Sequence, residues 1–148
     1  MKKNILVIAA MASFAIFGLS GCSAKGELFS GFEKPKQDKA LLYVYRPDAF
    51  VGGGVHYGVY VNSKDNNNTG MGPLKNNAFL KMDISDGENE VWAETESKSS
   101  VTIDAKKGEI YCVKGEIGIG FFLGRPYLSI VDMNTCKAEI VGKRSPFN

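Results

Sequence analysis

The spacing of apolar and polar residues outlines this chain. Beyond residue 38, apolar positions recur at every second residue in short runs, and no long stretch carries a 3.6-residue period. Ala40–Arg46 is apolar at odd and even positions alike. That is the pattern of a central strand covered on both faces, and Pro47 closes it because proline brings no N–H to a ladder. His56–Asn62 places Tyr57, Val59 and Val61 on one face. Ala78–Ile84 alternates Leu80, Met82 and Ile84 against Phe79, Lys81 and Asp83. After an Asp86-Gly87 turn, Glu88–Glu96 alternates Val91, Ala93 and Thr95 against Glu90, Trp92 and Glu94. Val101 and Ile103 mark a short strand. Glu109–Ile117 is another, with Tyr111 and Val113 inward, and Tyr127–Val131 is its partner across the Gly118–Gly124 loop. Cys136–Val141 reads as a last short strand, and Ser63–Gly72 as a polar, mobile connection. These runs predict an all-β fold, a single antiparallel β-sandwich (Ig-like, Greek-key) of about seven to nine short strands. A small open β-barrel is the alternative, because counting strands does not separate the two.

The beginning of the chain follows a different pattern. Lys2 and Lys3 precede an apolar run from Ile5 to Phe17, and Leu19-Ser20-Gly21-Cys22 follows. Charge, short apolar run and small residues in that order make a secretory signal peptide. The run is shorter than the roughly 20 apolar residues that a spanning helix needs. The Leu-Ser-Gly-Cys ending resembles the lipobox of bacterial lipoproteins. The resemblance implies a diacylglyceryl group on the Cys22 sulfur and cleavage that makes Cys22 the first mature residue. The expected organisation is a signal peptide over 1–21, a lipidated N-terminus and tether over 22–38, a sandwich over 39–142 and a tail over 143–148. Most of the tether is polar, as in a solvated linker. Leu28, Phe29 and Phe32 do not suit free chain, and they predict docking on the domain.

Charge adds an exclusion. Of 18 basic residues, Lys2 and Lys3 leave with the signal segment, so the remaining sixteen balance 16 acidic ones. A neutral domain without a basic patch argues against nucleic acid as a partner. In an exported protein, Cys112 and Cys136 are expected to pair as a disulfide.

Three stretches carry a wider resemblance: Ala40-Leu-Leu-Tyr-Val-Tyr-Arg-Pro47, Val59-Tyr-Val-Asn62 with Leu74-Lys-Asn76, and Lys107-Gly108-Glu-Ile-Tyr111 running to Gly118-Ile-Gly-Phe121. They resemble the small bacterial lipoproteins grouped under a domain of unknown function, number 2846, over roughly residues 38–141. Asp83–Val91 is also similar to the short β-sandwich repeats named for a Pro-Glu-Gly-Ala signature, without that tetrapeptide. The first resemblance implies an exported β-domain and assigns it no activity.

Candidate chemistry is sparse. His56 is the only histidine, and no serine in a nucleophile-elbow pattern accompanies it. Cys112, Cys136 and His56 lack metal-ligand spacing. Gly118-Ile-Gly120 departs from a dinucleotide fingerprint, because its third glycine, Gly124, comes one position late and no helix follows. Glu88/Glu90 and Glu94/Glu96, at period two, read as a solvated outer face. Asn67 satisfies an Asn-x-Thr acceptor pattern within a polar loop.

The feature of most interest is Phe121-Phe122-Leu123, three large apolar residues between Gly120 and Gly124, where a polar turn is expected. Folding back to cap the sandwich and exposure as a contact tip are the two readings. Tyr43, Tyr45, Tyr57, Tyr60 and Trp92 are candidates for core packing or for an aromatic binding face. The sequence therefore predicts a non-enzymatic envelope lipoprotein with no metal and no cofactor beyond the lipid on Cys22. Its expected partners are the membrane, through that anchor, and another envelope protein. Its expected place is the outer membrane, facing the periplasm, because Ser23 and not Asp follows Cys22, by resemblance to enterobacterial sorting. The alternative is a glycan or small-ligand module using an aromatic face that includes Tyr60 and Trp92.

Overall fold

The computed structural model describes residues 23–148. The expected signal peptide and the expected lipidation site at Cys22 lie outside the described residues. Among the described residues, eight strands and one helix follow one another: β1 (Ala40–Tyr45), β2 (Tyr57–Asn62), β3 (Thr69–Leu74), β4 (Phe79–Ile84), β5 (Gly87–Glu94), β6 (Lys98–Ala105), β7 (Ile110–Gly118), β8 (Arg125–Val131) and α1 (Met133–Glu139). They form a β-sandwich of two four-stranded sheets, ordered β4-β1-β7-β8 and β3-β2-β5-β6. Neither sheet closes into a barrel.

Five of the six strand pairs are antiparallel, and β1 pairs β7 in parallel. A parallel pair needs a long crossover, and here the whole second sheet supplies it. Between the sheets, Leu42 and Val44 of β1 meet Val59 and Val61 of β2 and Val91 and Ala93 of β5 in one buried cluster. The side chains expected inward on β2, β4 and β5 are there because period-two alternation leaves each strand one apolar face.

The double-sided pattern of β1 has its own explanation. Leu41, Tyr43 and Tyr45 point away from the sheet–sheet core into a second buried cluster with Cys112, Cys136 and Ile140. This cluster is roofed by residues 23–38 and by α1. Residues 23–38 are therefore no free tether. Ala24 is buried, and the Ala24 N–H donates to the Asn76 carbonyl at 3.2 Å. Phe29 and Phe32 stand edge-on to each other and to Tyr43, with centroids 5.1–5.9 Å apart. As expected, these two rings dock, while Leu28 stays exposed and contributes only a backbone bridge to Arg144. Polar composition predicted a solvated segment, but the backbone finds partners along its length and the two rings anchor it.

Three further expectations are corrected. Cys136–Val141 is not a strand: α1 covers it to Glu139, and Asp132 caps the helix by accepting from the Asn134 and Thr135 N–H groups at 2.9 and 3.0 Å. Ser63–Gly72 is not wholly a loop, since Thr69 begins β3, an edge strand whose Pro73 faces no further partner. Its register with β2 slips between Val59 and Tyr60, leaving buried Met71 as the extra residue of a bulge. The 143–148 stretch is not a free tail, because the Ser145 N–H donates to the Glu27 carbonyl at 2.8 Å and Pro146 is buried. The sulfurs of Cys112 and Cys136 lie at bonding distance, with Cα atoms 6.2 Å apart, and tie α1 to β7.

Candidate functional site

The registers gather four connections at one end of the sandwich. Tyr45 opposes Phe79, Tyr57 opposes Leu74, Glu94 opposes Lys98 and Gly118 opposes Arg125. The loops 46–56, 75–78, 95–97 and 119–124 therefore share that end. Two of them present large apolar side chains to solvent. Phe50 and Val51 are exposed in the first, and Ile119, Phe121, Phe122 and Leu123 in the last, with Phe121 and Phe122 at 86% and 90% of full exposure. Of the two readings of this tip, the capping one is set aside: the rings do not fold back. The loops are neighbours, since Ile117 lies against Gly52 on one side and Gly124 on the other.

The backbone of each loop is fixed from beneath by a charged side chain. Arg46 is buried at the end of β1, where its guanidinium donates to the carbonyls of Val55 and Gly52, the latter at 2.7 Å, and lies 6.0 Å from the Tyr57 ring centroid. The Glu96 carboxylate accepts from three successive backbone N–H groups, those of Phe121, Phe122 and Leu123, the first at 2.7 Å. Consecutive N–H groups curled around one anion form a nest. The Leu123 and Phe121 amides hold this carboxyl below the usual carboxylate range, and Arg125 adds a smaller pull. Glu96 is thus corrected from one of a solvated pair to a surface support of the loop: β5 ends at Glu94, and the turn re-aims the side chain. The loop also needs Gly120, because a Cβ there would run into the Leu123 carbonyl oxygen and crowd Glu96. Thr95 completes the support, its hydroxyl donating to the Gly124 carbonyl at 2.5 Å.

The aromatic candidates divide. Tyr43, Tyr45 and Tyr57 are buried. Burial raises the hydroxyl pKa of Tyr45, as does its 2.6 Å hydrogen bond to Glu139. Tyr60 and Trp92 lie on the outer face of the second sheet, stacked on each other with centroids 4.6 Å apart. The Trp92 indole N–H donates to Asn68 Oδ1 at 3.1 Å, and the Lys98 ammonium sits 5.0 Å from its centroid. These contacts occupy one another and leave little ring face for a ligand. The adjoining groove is shallow and glycine-walled, lined by Gly58, Tyr60, Gly70, Gly72 and Pro73.

His56 is exposed at the end of the 46–56 loop. Among the described residues, no three His, Cys, Asp or Glu side chains come together as a metal site, and no helix is long and apolar enough to cross a membrane. Sequence reasoning found the Phe121–Leu123 tip but missed Glu96 as its support and Arg46 as the support of the neighbouring 46–56 loop. An arginine closing an otherwise apolar run was the available signal for Arg46. Compared with protein-family models, curated proteins and solved structures, the chain matches none.

Proposed function

We propose that the chain is an exported bacterial lipoprotein, anchored through a lipid on Cys22, whose sandwich is a non-catalytic contact module of the cell envelope. One observation carries the reading: the first residues after the lipobox-like cysteine already belong to the folded domain. Ser23 bridges Asn76 and Ala24 is buried, as suits a chain whose mature form begins at Cys22. A paired Cys112 and Cys136 accords with an oxidising compartment. The contact surface in this reading is the apolar end, preformed and supported by Arg46 and Glu96. Ser23 in place of an aspartate directs the protein to the outer membrane.

Glycan or small-ligand binding through Tyr60 and Trp92 is the second reading. It draws on the outward-facing position of that pair, with Tyr60 exposed and Trp92 half-buried, and is weakened by the stacking that occupies the rings. Metabolic labelling with a fatty-acid analogue tests the anchor. Wild type takes up label and Cys22→Ala does not; label persisting in Cys22→Ala, or absent from wild type, refutes the reading. Crosslinking in cells, followed by mass spectrometry, identifies what touches the apolar end.

A further inference from the structure

The first described residue, Ser23, sits at the apolar end of the fold. Ser23 forms a bridge with Asn76. The Asn76 side chain in turn holds the 46–56 loop, accepting from the Ala49 N–H at 3.0 Å and donating to Asp48 Oδ1 at 2.6 Å. The point where the chain leaves the described structure is therefore the base of the loop that carries Phe50 and Val51. One peptide unit, about 3.8 Å between Cα atoms, joins Ser23 to Cys22. A lipid on Cys22 would leave almost no slack between bilayer and domain, and the surface first brought against the bilayer would be this end.

We propose that the apolar end is a membrane-seating tip. Phe50 and Val51 on one loop, with Ile119, Phe121, Phe122 and Leu123 on the other, enter the interfacial layer of the bilayer that holds the lipid of Cys22. The proposal rests on the lipid-anchor reading above and adds the occupant of the surface. The chemistry fits a lipid interface: the projecting side chains are apolar and aromatic, while the charges that hold the loops point inward and are satisfied by backbone. Aromatic rings favour the headgroup boundary, and interfacial elements bury their apolar face about 5–10 Å deep there. Support from Arg46 and Glu96 means that little ordering is needed when the tip enters lipid. At the other end of the sandwich the connections 63–68 and 106–109 are polar, so the domain has a single lipid-compatible pole. The seating also fixes orientation. The strands stand away from the membrane, and the Tyr60–Trp92 face of the second sheet turns sideways, clear of it.

The native chain has one tryptophan, Trp92, which serves as an internal reference. The lipidated full chain would be reconstituted into phosphatidylcholine vesicles with brominated acyl chains, and tryptophan emission followed in the native protein and in Phe122→Trp, Phe50→Trp and Asn67→Trp. New emission at positions 122 and 50 is expected to shift to the blue and lose most of its intensity. Native Trp92 and the position-67 probe keep theirs. Thermal melts matching the native protein establish that the variants are folded. Vesicle-bound protein with positions 122 and 50 unquenched overturns the tip and leaves the anchor standing, and crosslinks from position 122 to a protein then name the occupant. Quenching equal at all four positions also overturns it, because the domain then lies flat. Failure to take up fatty acid and to float with vesicles overturns tip and anchor together.

Discussion

Two pairs of phenylalanines lie outside the strands of this domain, and their fates are opposite. Phe29 and Phe32 are part of the roof over the first sheet, packed edge-on against Tyr43, with Phe79 5.4 Å from Phe29. Phe121 and Phe122, with centroids 5.5 Å apart, stand almost fully in solvent. Residue type is the same, so the difference lies in the backbone beneath. The 23–38 segment follows a sheet face that already presents Leu41, Tyr43 and Tyr45 and lacks a cover. The 119–124 segment is a strand connection whose amides are gathered around Glu96, which turns the rings outward. An apolar side chain is therefore an instruction to bury only where its backbone is free to bring it to an apolar face. Where a polar support fixes the backbone first, the same side chain becomes a contact surface.

The strongest test of the buried side of this comparison removes the bond that pins the roof. Cys112 and Cys136 are 24 residues apart, and in the chain-entropy model a bridge of that span contributes about 3–4 kcal/mol. Thiol counting on the denatured, unreduced protein should find Cys112 and Cys136 oxidised. Cys112→Ala with Cys136→Ala should lower the melting temperature by roughly 10 °C. Free thiols at both positions, or an unchanged melt in the double variant, removes the bridge from the account of the roof.

A direct contrast between the pairs comes next in size. Phe29→Ala deletes a half-buried ring with three aromatic neighbours and should cost roughly 2 kcal/mol, below the 3–5 of fully buried phenylalanines. Phe122→Ala deletes an exposed ring and should leave stability within about 0.5 kcal/mol. Denaturant titrations of the two variants measure both. Equal losses would mean that the tip packs on the domain after all.

The comparison also marks how far the sequence could be read. The sandwich was legible because most strands have one apolar face, and β1 announced its two-sided burial by having no polar face at all. The helix was missed because Cys136, Ala138 and Ile140 fit strand alternation, and seven residues are too short for a helical period to outvote it. Its signal was Asp132, whose carboxylate caps the first turn. β3 was hidden by Gly70, Gly72 and Pro73, poor strand formers that an edge position with a bulge tolerates. The Phe121–Leu123 tip was visible as apolar residues out of place. Its support was not, because Glu96 is 25 residues from Phe121 and meets it only through the pairing of turn and loop.

The smallest expected effect is local to that support and decides whether the exposed pair is held or merely loose. Glu96 sits at the surface, so its loss should barely move the global melt. The carboxyl is drawn below its ordinary value of 4.5 in the folded protein by the amides of Leu123 and Phe121. A group with a lowered folded pKa contributes fully above its ordinary value, and the contribution fades as pH falls through the lowered one. The nest should hold at neutral pH and open only in acid, below about the ordinary carboxylate range. In two-dimensional NMR, the Phe121, Phe122 and Leu123 amide resonances should stay constant from pH 7 to 5 and then shift together. Their common midpoint should lie below 4.5. Glu96→Gln keeps the size of the side chain and removes its charge, so the same amides should move at neutral pH toward their acid positions and lose that titration. The amides of Phe29 and Phe32, on the roof, should not follow. If the three tip amides ignore both acid and Glu96→Gln, the carboxylate does not hold the loop, and the outward display of its rings needs a different cause.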